Sequence, residues 1–68
     1  MKRKNVNRAV RAAQPFKVYT RAHPDADDID LQHLMSDFIA DLMHYSELMG
    51  LDGKQAVTTG RDHYEAER

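Results

Sequence analysis

Sixty-eight residues, with ten Lys and Arg set against eleven Asp and Glu, give a net charge of −1 and room for one small domain. Without cysteine, disulfide staples and thiolate zinc sites are excluded, and no apolar run approaches the roughly 18 residues that a membrane span requires. No apolar stretch follows the basic start, so neither a secretory signal nor a membrane partner is expected, and the chain reads as cytoplasmic.

The near-neutral total hides a division. Lys2, Arg3, Lys4, Arg8, Arg11, Lys17 and Arg21 place seven of the ten cations in the first 21 positions, and every acid lies between Asp25 and Glu67. Residues 1–27 are therefore expected to form a basic arm or linker, partly disordered, and residues 28–68 a helical hairpin domain. Val6, Val10 and Ala13 recur near helical spacing and could support a turn or two before Pro15, which should end it. Phe16, Val18 and Thr20 then alternate with Lys17, Tyr19 and Arg21, a period of two that predicts a short strand over 16–21. Its only evident pairing partner is the same segment of another chain.

His23-Pro24-Asp25-Ala26-Asp27-Asp28 reads as a break and a helix start, with Asp27 or Asp28 as the cap and the clustered carboxylates favoured by the helix dipole. The clearest signal follows. Leu31, Met35, Phe38, Leu42, Tyr45 and Met49 keep spacings of 4, 3, 4, 3 and 4, and Leu34 and Ile39 widen the stripe to about 140° of arc. This predicts a long helix over about 28–49, with a repeat near 3.5 residues that suits a helix–helix seam. Gly50 can end it in the left-handed conformation, and Asp52 can cap a second helix over about 52–67, with Gln55 as reciprocal partner. That helix offers only Ala56, Val57, Gly60 and Tyr64 inward, too little to cover the stripe. The expected fold is thus all-α: an αα-hairpin with a basic N-terminal arm, completed as a helical dimer through Leu31, Leu34, Met35, Phe38, Ile39, Leu42, Tyr45, Met49 and Tyr64.

Two further groups carry chemical meaning. Asp30, His33, Asp37, Asp41 and His44 line the polar back of the first helix within about 80°. His33, Asp37, Asp41 and His44 have spacings that could share a metal ion, but a solvated helix face explains them and no cofactor is expected. No nucleophile elbow, phosphate-cradling loop or paired-acid signature is present, so no enzymatic activity is expected. The cations of the arm, with Tyr19, form a candidate nucleic-acid contact: Lys2, Arg3, Lys4, Arg8, Arg11, Lys17, Tyr19 and Arg21.

The stretch GLDGKQAVTTGRDHYEA, residues 50–66, preceded by a strand and a helix, resembles the second-helix half of ribbon-helix-helix repressors, although the first helix here is longer than theirs. That resemblance implies a DNA-binding regulator whose paired strands enter the major groove. Residues 37–67 look like small, largely uncharacterised phage and prophage proteins, on Asp41-Leu42, His44-Tyr45, Gly50-Leu51-Asp52 and His63-Tyr64-Glu65. This likeness implies an accessory protein in the cytoplasm of a host cell that binds a host or phage protein, as an inhibitor does, with Asp41, His44 and His63 in one hydrogen-bonded junction between helices. Homodimerisation and DNA are the other partners expected.

Overall fold

A computed structural model describes all 68 residues and contains three helices and no strand: α1 (Arg3–Ala22), α2 (Leu31–Leu48) and α3 (Gly53–Glu67). The all-α class holds. The strand expected over 16–21 does not form, because that segment is the last part of α1. Nor does Pro15 end the helix. It lies inside it, leaving the Arg11 carbonyl without its usual donor. The residues that alternate with period two also contain Phe16, Tyr19 and Thr20, which with His23 just beyond them are spaced 3, 1 and 3, one face of a helix. All four are half-buried while Lys17, Val18 and Arg21 are exposed, so tertiary packing decides in favour of the helix and offsets the proline.

The start of α2 falls later than expected. Residues 24–29 form turns, and Asp30, rather than Asp27 or Asp28, is the cap: its side chain accepts from the His33 N–H at 2.8 Å. At the other end Gly50 adopts φ 75°. The Leu51 N–H donates to the Ser46 carbonyl (2.8 Å) and the Gly50 N–H to that of Glu47 (3.1 Å), the paired bonds of a Schellman ending. Asp52 then caps α3 by accepting from the Gln55 N–H at 2.9 Å. The reciprocal half of that capping box is absent, since the Gln55 amide donates to Thr59 Oγ1 (3.0 Å) instead.

α3 returns beside α2 at very short range. A Cβ on Gly53 would lie 3.2 Å from the Met43 backbone. Further along, Ala56 and Val57 line a groove with Ile39, Leu42 and Met43. α1 does not run alongside this pair. Its C-terminal half meets the middle of α2, whereas its first turns meet the end of α3, where the Asn5 amide donates to the Glu67 carbonyl (2.9 Å) and Arg8 pairs with the Glu67 carboxylate (3.3 Å). A cation at that end also suits the dipole of α3. The result is a flat molecule, 34 × 29 × 16 Å, in which α1 bridges from the middle of α2 to the end of α3.

Replacing Pro15 by Ala should restore the missing hydrogen bond and remove the ring's conflict with the preceding turn. Stability in urea should rise by up to about 3 kcal/mol with a gain in helical circular dichroism. A loss of stability on Pro15→Ala would mean that residues 11–19 are not helical.

Candidate macromolecule-binding faces

One cluster fixes α1 on α2. The Phe38 ring lies 5.5 Å from Phe16 and 4.7 Å from Tyr19, centroid to centroid, and His23 meets Tyr19 edge-on at 5.6 Å. A polar rim surrounds the rings. The Tyr19 hydroxyl donates to Asp41 Oδ2 at 2.6 Å, and His23 Nε2 lies 3.1 Å from Asp37 Oδ2. The Asp25 N–H donates to His23 Nδ1 at 3.1 Å, so the imidazole carries its proton on Nε2, aimed at the carboxylate. The hydrogen bond to Asp41 favours the neutral phenol of Tyr19. Together with lost hydration and the negative charges of Asp41 and Asp37, it pushes the pKa up to about 12 from 10.0.

This junction revises the reading of the acidic line on α2. Asp37 and Asp41 each bond a side chain of α1 while keeping contact with solvent: Asp41 is exposed and Asp37 half-buried, on a line whose other members, Asp30, His33 and His44, are exposed. His33 stands 3.6 Å from Asp37, and no three His or acidic side chains converge as metal ligands would. Asp41 bonds Tyr19, and neither His44 nor His63 joins it in a hydrogen bond, so the junction expected among those three is replaced by Tyr19–Asp41 and His23–Asp37. His23 had no assigned role in the sequence. The signal that could have found it is the helical spacing Phe16–Tyr19–His23, which is legible only once Pro15 is allowed inside a helix.

The apolar stripe divides at the crossing. Leu34 is the one buried residue of the chain, 4 % exposed, and Phe38 is half-buried beneath α1. Leu31, Met35, Ile39, Leu42, Tyr45, Met49 and Tyr64 remain exposed. Toward the C-terminal end of α2, Leu42, Tyr45 and Met49 form a continuous row on the helix surface, each about half exposed (48, 57 and 57 %).

The cations divide as well. Tyr19 faces inward, and Arg8 is held by Asn5 Oδ1 (2.6 Å) and Glu67, so neither belongs to a free contact surface. Lys2, Arg3, Lys4, Arg11, Lys17 and Arg21 are exposed and have no carboxylate within 4.0 Å.

The stability supplied by neutral Tyr19 is complete below pH 10, where the phenol is protonated folded or unfolded. It is lost as pH rises toward 12, because the unfolded chain gives up the proton first. Ultraviolet titration should show one of the three tyrosines ionising late, and Tyr19→Phe should remove that step and flatten the fall in stability above pH 10. Persistence of the late step in the variant would refute the junction.

Compared with known proteins, the chain matches no family model and has no significant match among characterised proteins or solved structures.

Proposed function

We propose that the chain is a non-enzymatic accessory protein, of the phage or mobile-element kind, that acts by macromolecular binding through the uncovered part of the α2 stripe, and that its first partner is a second copy of itself. It works by contact, as an inhibitor or adaptor does. The observation that carries this reading is the near-absence of a core: one buried residue in 68, with the row Leu42, Tyr45 and Met49 left in water.

The surface area supports a second copy. A compact monomer of this mass would expose roughly 4,400 Å², whereas the chain exposes 5934 Å². The excess, roughly 1,500 Å², exceeds the roughly 800 Å² that each partner buries in an ordinary specific interface. A stripe with a 3.5-residue repeat is self-complementary under a two-fold axis, since the same row can serve both protomers. No helix is long and apolar enough to cross a membrane, so a bilayer span does not account for the exposed row. The ribbon form of the DNA-binding reading has no support in the fold, because residues 16–21 are helical and supply no strand to pair.

Sedimentation velocity between 1 and 100 micromolar, taken as about the range in which ordinary interfaces form, should show a reversible dimer. Leu42→Glu combined with Tyr45→Glu, both at exposed positions, should weaken it at least about a hundredfold by burying unpaired charge. A folded monomer across the whole range would reject the proposal.

A further inference from the structure

We propose that the outward face of α1 is a binding site for duplex DNA, in which the helix itself, rather than a strand ribbon, lies in the major groove. The inference is independent of self-association, because the face lies on the opposite side of α1 from the Phe16–Tyr19–Phe38 cluster.

The helix has two distinct sides. Half-buried Asn5, Ala13, Phe16, Tyr19, Thr20 and His23 mark the side that meets α2 and α3. The other side carries Arg3, Asn7, Arg11, Gln14, Val18 and Arg21, spaced 4, 4, 3, 4 and 3, which keeps them in one row along the axis. Lys4, Val10 and Lys17 flank the row, and the whole set falls within about 140° of arc. Every one of these residues is exposed. Residues 1–24 contain no acid, and none of these cations is paired with a carboxylate from α2 or α3. The folded chain has eleven acids available, yet neutralises only Arg8 among the cations of α1.

Five cations between Arg3 and Arg21 span about 27 Å of helix, a length over which duplex DNA presents roughly 16 phosphates. A bare α-helix is the width that the major groove of B-DNA admits. The two amides sit inside the row rather than at its ends, where they can donate to and accept from base edges, and the two valines offer methyl groups of the kind that contact thymine. Surrounding cations would hold the phosphates on either side. The N-terminus adds to this. Lys2, Arg3 and Lys4 crowd the positive end of the helix dipole with no acid in the first turn and no side-chain cap, a repulsion that a phosphate relieves. An acidic protein would also meet the charge requirement, and competition with polyglutamate separates it from DNA. A-form RNA has a major groove too narrow for the helix.

The test is fluorescence anisotropy of the whole chain with a labelled mixed-sequence DNA duplex. Five phosphate contacts predict that affinity falls more than about a hundredfold between 50 and 200 mM salt. The triple variant Arg11→Ala, Lys17→Ala, Arg21→Ala should bind at least about tenfold more weakly at 50 mM, with a log–log salt slope shallower by about 2.7. Circular dichroism would establish that it is folded. Lys54→Ala with Arg61→Ala on α3 should leave both quantities unchanged. Any of three results would overturn the proposal: no duplex binding at 50 mM salt, equal losses in the two sets of variants, or displacement of the duplex by polyglutamate or duplex RNA at the same charge concentration.

Discussion

Everything that distinguishes this molecule from a plain pair of helices depends on the Phe38 side chain and the two rings that close on it. Phe16 and Tyr19 reach α2 only because α1 remains helical through Pro15, and they are what makes that helical path worth its lost hydrogen bond. Once the rings meet, the polar groups at the rim have little choice. The Tyr19 hydroxyl is delivered to Asp41, and His23, at the last position of the same face, is delivered to Asp37. An apolar contact of three rings thereby gives two acids at its solvent-facing rim a structural partner each. The opposite side of α1 is turned outward by the same contact, and its unpaired cations with it.

The crossing also explains why the stripe on α2 is covered unevenly. Phe16 and Tyr19 cover the stripe at Phe38, so Leu34 and Phe38 lie out of solvent, wholly or in part, while Leu42, Tyr45 and Met49 keep it. The flat shape, the single buried residue and the exposed row are therefore three aspects of one geometric fact.

Much of the fold was legible in the residues, for reasons that differ by element. α2 could be read because its apolar spacing persists for five helical turns, long enough to exclude a strand. The turn into α3 could be read because Gly50 and Asp52 have nearly unique tasks, one in backbone conformation and one in capping. α1 was missed where two local signals conflicted with a distant one. Proline and a six-residue alternation both argued against a helix, and the argument for it lay in Phe38, more than twenty positions away. The cap at Asp30 was misplaced by a few residues because four acids compete within six positions and only the reach to the His33 amide separates them. His23 escaped notice because its partner Asp37 is fourteen residues on, a distance that no local pattern spans. Among the candidate contact residues, Tyr19 and Arg8 could not be told from their neighbours until the crossing assigned each a side.

Gly53 gives the joint between α2 and α3 a different mutational character from the rest of the surface. A methyl group there would press against the main chain of Met43, which cannot turn aside as a side chain could. The tolerance of the chain to substitution should accordingly be graded: strict at one hydrogen-sized position and at three aromatic rings, permissive along the outward rows of α1 and α2. A scaffold with its constraints so concentrated can exchange most of its surface residues while keeping its shape, so its sequence is free to drift far while its fold stays put.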